Sequence, residues 1–220
     1  MNELNMLRGA KPGRWAGKKG VFDGDSITYG AVLSGDTART TYPNIVKDLL
    51  ALGSVVNNAV SGTSLTTIAG RRNLVSEYQN LPSGDFVYIS VGTNDYGYNA
   101  PIGTEADTDI VTFWGALNVM MDGMLTKFPT TPIVFATPIH RVGDATPNTA
   151  GFKLIDYVNA IRQAGEKWGI PILDMYTRSG MNPNNAAQKA AFFNTDGLHP
   201  YTRGGLQRLA ERVAGYMNTL

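Results

Sequence analysis

Short runs of consecutive apolar residues alternate along this chain with longer stretches in which apolar residues recur every three or four positions. The short runs, at residues 20–22, 54–56, 86–91, 133–136 and 170–173, have the length and continuity of strands buried on both faces. The longer stretches have a helical period. Residues 42–52 place Ile45, Val46, Leu49 and Leu50 on one side, with Pro43 where a first helical turn tolerates it. Residues 108–128 carry a stripe of Val111, Trp114, Leu117, Met121, Met124, Leu125 and Phe128, in which Met120, Met121 and Met124 read as core packing. Residues 152–168 repeat the pattern through Ile155, Val158 and Ile161, and a last helix from Thr202 spaces Leu206, Leu209, Val213, Tyr216 and Leu220. Strands alternating with helices predict an α/β protein with a five-stranded parallel sheet and all four helices packed on it.

Such a sheet has a directional consequence. Parallel strands point the same way, so the loops leaving their carboxyl ends gather on one edge, where ligands bind. The polar loops of this chain lie largely there: DGDSITYG, NNAVSGTSL, GTNDYGYN, TPIHRVGD and, before the last helix, NTDGLHP. Residues far apart in sequence can therefore meet.

Composition narrows the chemistry. The formal net charge of +1 over 220 residues provides no electrostatic footprint for nucleic acid or for an anionic membrane. Cysteine is absent, which excludes disulfides, thiolate nucleophiles and Cys-ligated zinc. The first twenty residues mix charge, Gly and Pro where a signal peptide needs an unbroken apolar stretch, and no segment reads as a membrane span. We expect a soluble chain, with residues 1–18 as an N-terminal extension and 19–220 as one domain.

The chain has two histidines, so a search for a base to activate Ser26 is short. His199 lies three residues after Asp196. A neutral imidazole can take the serine proton while a carboxylate on its other nitrogen fixes the tautomer and stabilises the imidazolium. Gly197 and Pro200 favour a tight turn that folds the carboxylate back under the ring. An oxyanion needs donors, and three are available: the N–H of Ser26 at a helix start, the N–H of Gly62 and the side chain of Asn94. Taken singly, each of these residues has a plainer reading. Ser26 can cap a helix, Gly62 and Gly92 can satisfy left-handed backbone angles, and Asn94 and Asp95 can make local turn hydrogen bonds. Asp25 reads as structural, accepting local N–H bonds in the serine loop, and His140 as a loop histidine. A metal-dependent alternative would draw on Asp23, Asp25, Asn94, Asp95 and the two histidines, but no H-x-x-x-H or D-x-H pair supports it.

GDS around Ser26, Gly62, GTND around Asn94 and DGLH ending at His199 resemble the four ordered blocks of the SGNH (GDSL-like) hydrolases. The resemblance runs from Lys19 to the C-terminus. The stretch WAGKKGVFDGDSIT also looks like the start of SGNH domains from Gram-positive bacteria and their phages. The resemblance implies a flavodoxin-like three-layer α/β/α sandwich, a triad of Ser26, His199 and Asp196, and an oxyanion site from the Ser26 and Gly62 N–H groups with the Asn94 amide. It implies a serine esterase without cofactor or metal, acting on a small-molecule or glycan acyl ester, with O-acetyl groups on carbohydrate foremost. Lipase or thioesterase activity on the same fold, or a non-catalytic glycan-binding module, are the alternatives. Tyr29, Tyr96, Tyr98, Phe193 and Tyr201 are expected to flank the site. Asp23 departs from the family pattern, which has an apolar or small residue there in many members.

Overall fold

The computed structural model describes residues 13–30, 41–201 and 203–220. Five strands, β1 (Lys19–Gly24), β2 (Ser54–Asn57), β3 (Phe86–Ser90), β4 (Ile133–Ala136) and β5 (Ile172–Leu173), form one parallel sheet in the order β2-β1-β3-β4-β5. From β1 the chain steps to one side for β2 and then crosses to the other side for β3, so the order of strand addition reverses between β1 and β3. The register sets Val21 beside Val87 and Phe22 beside Tyr88.

Successive strand residues face opposite sides, and both sides are apolar. Val21, Val87, Ile89 and Phe135 pack beneath α3 (Leu74–Glu77), α5 (Phe113–Lys127) and α6 (Leu154–Trp168). Phe22, Phe86, Tyr88 and Val134 pack beneath α2 (Tyr42–Leu49) and α9 (Arg203–Met217). The result is the expected three-layer α/β/α sandwich, with the three core methionines of α5 fully buried. Ahead of β1, Trp15 is buried with its ring edge-on to Phe86 and donates its indole N–H to the Met217 carbonyl at 2.8 Å. No helix among the described residues is long and apolar enough to cross a membrane.

Element ends depart from expectation where local chemistry intervenes. β5 begins after Pro171, which supplies a carbonyl to Phe135 but has no N–H to pair. The helix expected from residue 108 begins at Phe113, because Thr112 caps it by accepting the Gly115 N–H; Val111 thus falls outside the helix and is 38% exposed rather than part of its stripe. α2 stops at Leu49, just ahead of Ala51, which takes a positive φ of 52°. Thr202, the expected start of the last helix, lies outside the described residues. Short helices α1 (Ser26–Tyr29) and α4 (Thr93–Gly97) lie within the polar stretches DGDSITYG and GTNDYGYN, and α7 (Met175–Arg178) and α8 (Ala186–Phe192) occupy stretches with no element expected.

Candidate active site

β1 delivers Ser26 through a turn with no room for a side chain at its second position. A Cβ on Gly24 would stand 2.6 Å from the Ser90 carbonyl oxygen and 2.8 Å from Thr28 Oγ1. Asp25 then caps α1, its carboxylate accepting the Ile27 N–H at 2.9 Å, the structural role expected of it. Ser26 is the first residue of α1, where an N–H has no partner within the helix. Burial pushes the Asp25 carboxyl up to about 6, against the opposing pull of the Ile27 N–H, His199 and Arg141.

At the other end of the chain, a tight loop presents His199. Asn194 donates its N–H to the His199 carbonyl at 2.8 Å, and Gly197 donates to the Asn194 carbonyl at 2.9 Å. Inside this loop Asp196 Oδ1 accepts the N–H groups of Leu198 and His199, and Asp196 Oδ2 lies 2.7 Å from His199 Nδ1. Burial raises the Asp196 carboxyl, but the hydrogen bonds from the His199 ring and from these two backbone N–H groups outweigh it and hold the group below the ordinary carboxylate range. An ionised carboxylate only accepts, so the Nδ1 proton belongs to the ring and Nε2 of the neutral imidazole is an acceptor. The Ser26 hydroxyl, 2.8 Å away, donates to it. The two side chains are 173 residues apart in sequence. One detail differs from expectation: the Asp196–His199 loop leaves α8 rather than a strand.

The remaining candidates come from the loops after β2 and β3. Gly62 has a φ of 81°, which other residues rarely adopt. Among the described residues, neither the Gly62 nor the Ser26 N–H donates a hydrogen bond. Asn94 in α4 gives one amide N–H to the Thr63 carbonyl at 2.9 Å, which leaves its second one available.

Two buried carboxylates tie these loops to the sheet. Asp23 accepts both Arg72 Nη groups, at 3.0 and 2.8 Å, the Asn58 amide at 2.8 Å and the Gly24 N–H at 2.7 Å. Arg72 also donates to Thr63 Oγ1 at 3.2 Å, so a continuous row runs from Asp23 through Arg72 and Thr63 to Asn94. Asp95 accepts the N–H groups of Leu65 and Thr66 and the Thr66 hydroxyl, so it ties the neighbouring loop to α4. Burial raises the Asp95 carboxyl despite these donors. Sequence reading passed over Arg72, Asn58 and Thr63; Arg72 stands 49 residues from Asp23, so no local pattern joins the two.

Not every expected residue reaches the site. Tyr96 and Phe193 are buried, and the Tyr96 hydroxyl donates to the carbonyls of Gly143 and Thr146. Tyr29 and Tyr201 are about half exposed, and Tyr98 packs beside Gly62, donating its hydroxyl to that residue's carbonyl at 3.3 Å. His140 donates to Asp144 and stacks on Tyr176, with no hydrogen bond to Ser26, Asp196 or His199. No group of three or more His, Asp or Glu side chains among the described residues could hold a metal ion.

A parallel sheet in this order, with helices on both faces and a Gly-Asp-Ser turn at the carboxyl end of β1, is the α/β fold of SGNH hydrolases. The chain belongs to the GDSL-like lipase/acylhydrolase family, whose model matches residues 22–205. Among solved structures, a protein from Lactobacillus plantarum is similar at 30% identity and a TM-score of 0.82, over 93% of this chain and 98% of that one. A possible lipase from Chitinophaga pinensis shares the fold at 22% identity and a TM-score of 0.69, over 92% and 98% of the two chains. An acetylxylan esterase from Geobacillus stearothermophilus does so at 21% identity and a TM-score of 0.63, over 90% and 93%. Comparison with curated proteins gives no match.

Proposed function

We propose that the chain is a serine esterase that removes short acyl groups, above all O-acetyl groups on carbohydrate, without cofactor or metal. The reading rests on one observation, the hydrogen-bonded row from Ser26 Oγ through the His199 ring to Asp196, with links of 2.8 and 2.7 Å.

In this reading His199 Nε2 takes the Ser26 proton as Oγ attacks the ester carbonyl carbon. Negative charge moves onto the carbonyl oxygen, stabilised by the Ser26 and Gly62 N–H groups and the free N–H of Asn94. Asp196, held ionised by its donors, stabilises the imidazolium. The imidazolium then protonates the departing alkoxide, leaving the acyl group on Ser26. Water, deprotonated by the same imidazole, attacks the acyl carbon, and the acid departs as Ser26 regains its proton. The GDSL-like family and the fold shared with an acetylxylan esterase support an acyl ester as substrate. Half-exposed Tyr29 and Tyr201 offer ring faces for a sugar.

The test is an ester panel: p-nitrophenyl esters from acetate to long acyl chains, with acetylated xylan, run on the parent and on Ser26→Ala. We expect turnover of acetate esters that falls by several powers of ten in the variant. Equal turnover by both proteins overturns the assignment of Ser26. A steep preference for long acyl chains rejects deacetylation.

A further inference from the structure

Two arginines beside the candidate oxyanion donors are without carboxylate partners among the described residues. Arg72 is neutralised by Asp23 and Arg162 by Asp174, the latter at 2.7 Å. Arg71 and Arg141 make no such pair, yet each is held in place.

Arg71 is exposed, but its guanidinium lies over the Tyr98 ring at 5.6 Å from the centroid. Its Nη1 is 3.3 Å from where a Cβ on Gly62 would stand. Since Tyr98 is itself bonded to the Gly62 carbonyl, the cation stands next to the Gly62 peptide. Arg141 approaches from the loop after β4. Its Nη1 donates to the carbonyl of Thr93, the residue before Asn94, at 3.1 Å. Its guanidinium lies 5.3 Å from the centroid of the Tyr96 ring. Its Nε is buried without a hydrogen-bond partner, a cost that packing alone leaves unexplained. The charges of Asp25 and Asp196 act on Arg141, which places it within electrostatic reach of the Ser26–His199–Asp196 row.

We propose that Arg71 and Arg141 form a pair of guanidinium contacts flanking Asn94 that selects esters whose alcohol portion carries an anionic oxygen group, a carboxylate or a phosphate. The inference rests on the esterase reading above and names its substrate class. The physical case is a balance of charges. A neutral ester needs no cation here, whereas an anionic one is repelled by Asp196 and, when ionised, Asp25. Guanidinium groups offset that repulsion, and their planar donor forks match carboxylate and phosphate oxygens. The aromatic supports hold each guanidinium in position before the substrate arrives. The near-zero net charge means that the attraction acts locally, at the cleft.

The experiment compares charge-matched pairs on the full chain: O-acetylated galacturonate oligomers against the same oligomers with their carboxyls methyl-esterified, and O-acetylglycerol phosphate against O-acetylglycerol. p-Nitrophenyl acetate reports the esterase reading separately. We expect the anionic member of at least one pair to be favoured by about tenfold or more in kcat/KM, through a lower KM, with the preference weakened by added salt. The pair that shows it distinguishes carboxylate from phosphate. Arg71→Gln and Arg141→Gln should each cut the charged-to-neutral ratio, and Arg141→Lys should retain part of it. A parent that cleaves p-nitrophenyl acetate but treats charged and neutral members alike overturns the proposal and leaves the esterase reading intact, as does a preference that survives both glutamine variants. A parent inactive on every ester overturns the esterase reading, and this inference with it.

Discussion

Replacing Arg72 by Leu isolates the most consequential buried interaction near the site. The Asp23 side chain is 1% exposed and receives four hydrogen bonds, two of them from Arg72. Without the guanidinium the carboxylate keeps only the Gly24 N–H and the Asn58 amide in a place water does not reach. Breaking one side of a buried ion pair costs about 3–5 kcal/mol, because the remaining charge is left uncompensated. That is a large part of the stability of an ordinary domain. Urea unfolding followed by circular dichroism measures it, with neighbouring Arg71→Leu as the control. Arg71 is exposed and stacked on one ring, so its loss should shift stability by only about 0.5 kcal/mol. Asp23→Asn, combined with Arg72→Leu, completes a double-mutant cycle, and the pair should be less damaging than the sum of the singles by about 1–3 kcal/mol. The same substitution frees Thr63 Oγ1, so p-nitrophenyl acetate turnover should fall even under conditions where the variant is fully folded. Arg72→Lys restores the charge without the two-pronged geometry and should recover only part of both losses. Arg72→Leu within about 1 kcal/mol of the parent, or an additive cycle, refutes the reasoning.

Three further outcomes follow from the same geometry. Asn94→Ala should lower kcat on p-nitrophenyl acetate by about 100- to 1000-fold, since it removes a proposed oxyanion donor and releases the Thr63 carbonyl; a loss below about threefold would exclude Asn94 from that role. Asp196→Asn should reduce kcat by about 10,000-fold, because an amide no longer requires the proton on His199 Nδ1, while near-parental melting would show that the loop still folds. Asp25→Asn tests linkage. With the folded carboxyl raised from 3.8 to about 6, the folded chain holds a proton that the unfolded chain has released between those pH values, so this group's contribution to stability falls as pH rises. The loss from pH 4 to 7 is about 2 kcal/mol, and the variant should lack it; parallel stability curves for parent and variant would contradict the assignment.

The parts of this molecule that were legible in its sequence are those whose information is local or periodic. Sheet residues such as Phe86 to Ile89 and helix residues such as Leu117, Met121 and Met124 announce themselves by spacing, because a two-sided core demands that spacing. Helices of four or five residues, such as α1 and α4, never complete an apolar stripe, so periodicity cannot find them. Ends of the longer elements are set by single side chains, as at Thr112 before α5, or by a missing N–H, as at Pro171 before β5. Ser26, Asp196 and His199 were legible for another reason. Asp196 and His199 form a local turn, and the number of histidines left few bases to consider.

The supporting charges follow a different logic. Arg71 and Arg72 are adjacent and chemically identical, yet one is exposed beside Gly62 and the other is spent on a buried carboxylate. Only the path of the loop after β2 decides which is which, and that path depends on Asp23 and Asp95, on two other segments. Asp23 reads as an anomaly beside Asp25 in DGDS because its partner lies 49 residues away. In the fold, the same charge fixes the position of Thr63 and, through it, of Asn94. The two carboxylates of that short motif thus do opposite work. Asp23 is buried against the Arg72 guanidinium, whereas Asp25 is buried facing only partial compensation and is pushed toward its neutral form. Exchanging their environments would require moving Arg72, which is why the loop after β2 is as much a part of the candidate site as the serine turn.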